Sequence, residues 1–270
     1  MSENILCLMI GMVFTYITIK KFYIMLKDNN CVAKNFENKK IPIGMGLVFV
    51  FNQTIITILL SIILKKNLII TFLYVITILF MGLIGFIDDI IGEKYIKGFK
   101  GHITYLLKGK LTTGGLKAIT GFICATFVSI LISKSFFDIG INILIIGLFT
   151  NIINLFDLRP GRASKAYILI MLSLLILSKY HFWDYILYIT LGIILVYLPL
   201  DIKGKTMMGD IGSNTLGIGL GVFSVLSLSF KTKIFYLILL LTLHIISEVY
   251  SFTNIIKKNK LLNYLDNLGR

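Results

Sequence analysis

Nine apolar stretches, each close to the length of a bilayer-spanning helix, follow one another along 270 residues with only short polar breaks: roughly 4–26, 43–64, 68–91, 116–133, 139–156, 164–180, 183–201, 211–230 and 234–252. A helix needs about 20 apolar residues to cross the hydrocarbon, where every backbone N–H and C=O must be satisfied within the segment. The pattern predicts an all-α, polytopic membrane protein of about nine transmembrane helices, forming a single multi-span domain over residues 1–270. Composition agrees, since 57% of residues are hydrophobic, 15% are charged, and mean hydropathy is +0.90. Water-soluble domains lie well below this. The first stretch lacks the basic n-region and small-residue cleavage site of a signal peptide, so it reads as a retained helix.

Orientation follows from the cations, because short basic loops stay on the cytoplasmic side. With the N-terminus outside, 21 of the 27 Lys and Arg residues fall on inner segments. The net charge of +14 then suits anionic headgroups; with no stacking platform for bases, it does not indicate nucleic acid. Cys7, Cys31 and Cys124 are too few and too scattered for a disulfide or zinc framework. In the last residues, Ile255, Leu261, Leu262, Leu265 and Leu268 are spaced for one apolar helical face with lysines opposite. They predict a short C-terminal helix on the inner surface.

The outer loops are very short, and nine of the thirteen acidic residues lie on the inner side. The chemistry is therefore expected there. In "MGLIGFIDDIIG", residues 81–92, an apolar run meets Asp88 and Asp89 directly, with Gly82, Gly85 and Gly92 sharing a face with Asp88. Adjacent carboxylates repel unless a cation or proton is shared. A Mg²⁺ site accounts for the pair, against the plain reading of two acids emerging into water. In "TNIINLFDLRPGRASKA", Asn154 and Asp157 fall about 60° apart on a helical wheel. Arg159 and Arg162 follow. The chain has 24 lysines and three arginines, so two arginines within four residues of each other suggest bidentate recognition of phosphate or another planar group. A positive-inside anchor is the alternative.

In "KTMMGDIGSNTLGIGLG", residues 205–221, Asp210 precedes a glycine-rich helix start, which serves equally as a cap or as a place for an anion or metal ligand. Gly217 and Gly221 read as close-packing residues. The inner loop "KGFKGHITYLLKGKLTTGGLKA" offers Lys97, Lys100 and Lys108 to phosphates or to anionic lipid.

Asp88-Asp89, the Asn154-to-Asp157 run and Gly209-Asp210 together resemble the polyprenyl-phosphate N-acetylhexosamine-1-phosphate transferase superfamily, glycosyltransferase family 4. "IPIGMG" at 41–46, "DDIIG", "NLFD" and "MGDIGSNTLG" match the family's motifs in order and in span number over residues 40 to 230. The resemblance implies transfer of a HexNAc 1-phosphate from a UDP-sugar to undecaprenyl phosphate, with Mg²⁺ as cofactor, at the cytoplasmic face of the cell membrane. The pathway would be cell-envelope glycan assembly, such as peptidoglycan or teichoic acid. It implies polyprenyl phosphate and a nucleotide-sugar as partners, with a homodimer left open. It makes Asp88, Asp89 and Asp210 catalytic, with Asp89 and Asp210 at the metal. Asn154, Asp157, Arg159, Arg162, Lys97, Lys100 and Lys108 become the substrate-binding set.

The chain departs from the family twice. Pro160 stands where a second Asp is usual, amid two arginines, and residues 253–270 hold no histidine where the family has a histidine-rich loop. His244 and Glu248 are the nearest substitutes. These departures keep open a second reading, a catalytically diverged carrier-binding protein that regulates or scaffolds envelope synthesis. A cation transporter is disfavoured, because the acids cluster at one face.

Overall fold

The computed structural model describes residues 2–92, 105 and 108–270; Lys97 and Lys100 lie outside them. The described residues form α1 (Ser2–Asp28), α2 (Leu47–Ile63), α3 (Leu68–Ile91), α4 (Thr113–Ile132), α5 (Phe136–Phe156), α6 (Arg162–Leu177), α7 (Asp184–Ile202), α8 (Gly209–Ser227) and α9 (Phe230–Val249). Two shorter helices follow, α10 (Phe252–Lys258) and α11 (Lys260–Asn267). Six helices, α1, α3, α4, α5, α7 and α9, are long and apolar enough to cross a membrane. At 17 and 16 residues, α2 and α6 are shorter. The protein is thus an all-α membrane protein in its main architecture.

Helix starts follow local chemistry. Asn67, Thr112, Ser135 and Ser229 each accept a hydrogen bond from the backbone N–H three residues on, taking up a donor that the first helical turn leaves free. Packing follows small residues. Every residue of α8 from Ile211 to Val225 is buried, and this helix is the axis against which α3 and α5 lie. A Cβ on Gly217 would come within 2.6 Å of the Phe149 carbonyl oxygen and of the Thr150 Cα, and one on Gly221 within 2.7 Å of the Ile146 Cα. With lipid as apolar as the side chains themselves, such close backbone approach is a main source of helix–helix attraction.

The all-α expectation overlooked a two-stranded antiparallel hairpin, β1 (Val32–Lys34) and β2 (Lys40–Pro42), with Val32 opposite Pro42. Asn35 builds its turn, accepting from the N–H groups of Glu37 and Lys39 at 2.9 Å while donating to the Gly204 carbonyl at 3.0 Å. Beyond β2 the backbone pairs with the segment entering α8. Met207 N donates to Pro42 O at 2.9 Å, Met45 N to Met207 O at 3.1 Å, and Gly46 N to Met208 O at 3.0 Å.

The single amphipathic helix expected near the end of the chain is instead two helices, divided at Asn259. Its backbone is extended there, and its side chain caps α11 by accepting from Leu262 N. Asp266, Phe252 and Ile256 turn inward, with Phe252 stacked on Phe156 at 5.0 Å, while Leu261 and Leu268 stay exposed.

The glycine contacts predict opposite results for two substitutions of the same kind. Gly217→Ala forces backbone apart and should cost about 1–3 kcal/mol. Gly147→Ala, where a new Cβ meets nothing within 4 Å, should be neutral or stabilising by up to about 1 kcal/mol. Unfolding midpoints of the two variants in one detergent check this.

Candidate active site at the start of α8

Three helix ends meet beside Gly209 and Asp210. Gly85 of α3 lets the start of α8 come very close. A Cβ on Gly85 would lie 2.6 Å from the Asp210 carbonyl oxygen and from Ile211 backbone atoms. Of the small-residue stripe seen in the sequence, Gly85 docks α8, while Gly82 makes room chiefly for Val50 of α2, 2.5 Å from a Cβ there, with Thr215 of α8 at 3.3 Å. Asp89 follows on α3, and its carboxylate accepts from the Asp210 N–H at 2.9 Å and the Ile211 N–H at 3.2 Å. A carboxylate at a helix start satisfies free donors and meets the positive end of the helix dipole. Gly209 has φ +73°, and a Cβ there would lie 2.3 Å from Asp89 Oδ2. Glycine is thus required for both the backbone conformation and the space.

Asp88 and Asp210 share one cation. Lys117, in the second turn of α4, places Nζ 3.2 Å from Asp88 Oδ2 and 2.5 Å from Asp210 Oδ2. The three side chains are 17–26% exposed, so the group is shielded yet reachable. The mutual repulsion that the sequence raised is resolved here between acids on different helices, by an ammonium. Lys117 was missed because a lysine near a span end ordinarily reads as snorkelling.

Asp88 and Asp210 offer hard oxygen donors to a single positive centre, the chemistry that Mg²⁺ uses. Among the described residues no three His, Cys, Asp or Glu side chains gather as a metal group. The expected pair was Asp89 with Asp210. Asp89 holds the α8 backbone, and the carboxylates that share a cation are those of Asp88 and Asp210.

The second constellation lies on the other side of the same helix start. Asn154 Oδ1 accepts from Ser213 Oγ at 3.3 Å. Asp157, just past the end of α5, lies near enough to the Gly209 backbone for that amide to favour its charged form. Burial raises the Asp157 carboxyl well above the ordinary carboxylate range, and the charges of Asp201, Asp210 and Asp89 push it further, against that amide. Asp88, Asp89, Asp210, Asn154 and Asp157 are therefore gathered around one turn.

The arginines go elsewhere. Arg162 is 4% exposed, and its Nε and Nη2 donate to Asp266 Oδ1 and Oδ2 at 2.7 and 2.9 Å while Nη1 donates to Thr253 Oγ1 at 2.9 Å. Arg159 Nη1 stands 3.9 Å from Asp266 Oδ2, with its side chain 32% exposed. The anion site expected of this pair is, for Arg162, a carboxylate within the protein, because two of its donors are committed there and a third to Thr253. Lys108 is exposed in a turn. His244 Nδ1 bonds the Leu240 carbonyl of its own helix, and Glu248 is exposed.

The profile for glycosyl transferase family 4 matches residues 71–228, more than half of the chain. No curated protein matches it. The chain belongs to glycosyl transferase family 4, and it is a membrane transferase of the class that moves sugar phosphates onto polyprenyl phosphates.

Two measurements test the electrostatics. Lys117→Met leaves two facing carboxylates without their cation, so it should cost roughly 1–3 kcal/mol in chelator, given partial exposure. Added Mg²⁺ should raise its unfolding midpoint more than that of the wild type. Asp266 behaves in the opposite sense to Asp157. Its burial opposes ionisation, but hydrogen bonds from Arg162 and Arg270 outweigh this and hold its pKa at about 2. A depressed acid stabilises the fold above its ordinary pKa and loses that contribution as pH falls through the folded value. The gap in unfolding midpoint between wild type and Asp266→Asn should stay constant from neutral pH to about 4.5 and close towards pH 2.

Proposed function

We propose that the protein transfers a HexNAc 1-phosphate from a UDP-sugar to undecaprenyl phosphate at the cytoplasmic leaflet of the cell membrane, for envelope glycan assembly. The observation that carries this reading is the pairing of Asp88 and Asp210, from separate helices, on one partly exposed cation beside Asn154 and Asp157. A phosphate oxygen of the lipid attacks the phosphorus bearing the sugar, and the bond from that phosphorus to the UMP oxygen breaks. UMP leaves and a lipid diphosphate sugar remains. Both reactants are anions, so the protein's main task is to position them and neutralise charge.

The residues divide that task. Asp88 faces the lipid phosphate and takes its proton where one is present. Lys117 supplies a mobile positive charge that either anion can draw away from the carboxylates. Asp210, with Asp88 or Asp89, would hold Mg²⁺, which when bound supplies charge neutralisation at the phosphates. Asn154 and Asp157 present an amide and a protonatable carboxyl to the nucleotide-sugar. The cation-rich loops favour a cytoplasmic setting for this end of the bundle, where nucleotide-sugars are found.

The test is UMP release by purified protein from a panel of radiolabelled UDP-HexNAc donors with undecaprenyl phosphate. Activity should vanish in chelator and return with Mg²⁺, and Asp88→Asn or Asp210→Asn should lower kcat by roughly 10²-fold or more. Carrier binding without UMP release from any donor would instead favour the regulatory or scaffolding reading.

A further inference from the structure

The protein's three arginines, Arg159, Arg162 and Arg270, all stand around one carboxylate, that of Asp266. Arg162 takes it bidentately, as described above. Arg270 takes it from the other side, with Nη1 and Nη2 each 3.1 Å from its oxygens. Asp266 is 6% exposed. Three guanidinium groups repel one another at this range, and only the anion among them lets them coexist in a site this buried.

The cluster joins two parts of the chain that nothing in the sequence connects. Arg159 and Arg162 lie at the end of the turn between α5 and α6, the turn that begins with Asp157. Asp266 and Arg270 belong to α11 and the residues after it. Further bonds run across the same seam. Arg270 Nε donates to the Pro160 carbonyl at 2.9 Å, and Lys165 Nζ donates to the carbonyls of Leu265, Asp266 and Leu268 at 2.9, 2.8 and 3.0 Å. A positive φ at Gly161 (+72°) tucks the turn against Ile202 of α7. The turn's own backbone is secured by Arg162 N to Arg159 O at 3.1 Å. Without the α11 side, Arg159 and Arg162 would lose their carboxylate, and the segment would keep the Arg162 bond to Thr253 at 2.9 Å, the Ser164 bond to Asp201 of α7 at 2.6 Å and its own local bonds.

We infer that Asp266 is a positioning residue for the nucleotide-sugar: through the arginines it fixes the α5–α6 turn, and so the place of Asp157 beside Gly209. Asp266 touches no substrate itself. The inference rests on the proposed reading of Asp157 as a donor-side group, and it assigns to α11 a part in the site that the four motifs matched in this sequence, all at or before residue 217, do not contain.

The test uses the full chain in nanodiscs. Asp266→Asn keeps the shape and removes the charge. It should raise hydrogen exchange of the 157–165 segment at least tenfold while leaving the ends of α3 and α8 unchanged. It should also raise KM for the UDP-sugar about tenfold, with KM for undecaprenyl phosphate and kcat within about twofold. Asp266→Glu should restore most of both effects. Arg270→Gln, which leaves the Arg162–Asp266 pair in place, should shift both in the same direction by less, and it serves if Asp266→Asn does not fold. Unchanged exchange in the turn, or a loosened turn with an unchanged donor KM, overturns the inference. If the wild type turns over no UDP-sugar, the proposed reaction fails separately. The exchange arm then decides alone whether Asp266 fixes the turn, a tenfold rise upholding that role and no rise ending it.

Discussion

The turn into α8 is the constraint on which the rest of the site depends. A helix buried from Ile211 to Val225 has to start somewhere, and its first N–H groups have no partners within the helix. Asp89 supplies two acceptors for them. Those bonds and the helix dipole offset part of the cost of ionising a carboxylate in this half-buried place. Once Asp89 is there, Gly209 must be glycine, Gly85 must be small, and Asp210 is aimed at α4. The same turn is gripped from a third direction by the strand-like pairing of residues 42–46 with 207–208. Four stretches far apart in sequence are thereby referred to one backbone corner, which is how reacting groups are held to the tolerance that catalysis requires.

Much of the bundle was readable in advance because lipid imposes two rules at once, a length and an apolar composition. The ends of α3, α5, α7 and α8 fall close to the ends of their hydropathic stretches for that reason. What was not readable has the opposite character. The hairpin at 32–42 rests on Asn35 bonding a carbonyl 169 residues away. The division between α10 and α11 rests on Asn259 choosing to cap rather than continue. Neither choice carries a periodicity. The candidate site shows the same split. The carboxylates stood out against their apolar neighbours, whereas Lys117 looked like any lysine near a membrane surface. Asp266 is named by no motif; only its partners, none of them adjacent to it, reveal it.

The arginines show where inference from residue type reaches its limit. Their scarcity correctly marked 159–162 as a place that wants a planar, bidentate acceptor. Carboxylate and phosphate present nearly the same fork of oxygens to a guanidinium, so rarity alone cannot tell an internal latch from a substrate contact. Burial can. At 4% exposure, Arg162 has little room to exchange partners, while Arg159 at 32% keeps an edge towards solvent.

The choice of cation follows the work that each place demands. Around Asp266 the positive charges are arginines, whose rigid forks lose little freedom when fixed and do not deprotonate. Between Asp88 and Asp210 it is a lysine, a point charge on a flexible stem with no preferred plane. An ammonium held by two carboxylates can follow whichever anion outbids one of them, and the pair it leaves behind is then free to hold a divalent ion. A guanidinium bound bidentately to either acid would resist that exchange. At these two carboxylate sites the fixed charge is thus arginine and the exchangeable one lysine, in a chain whose other 23 lysines give no hint of the distinction.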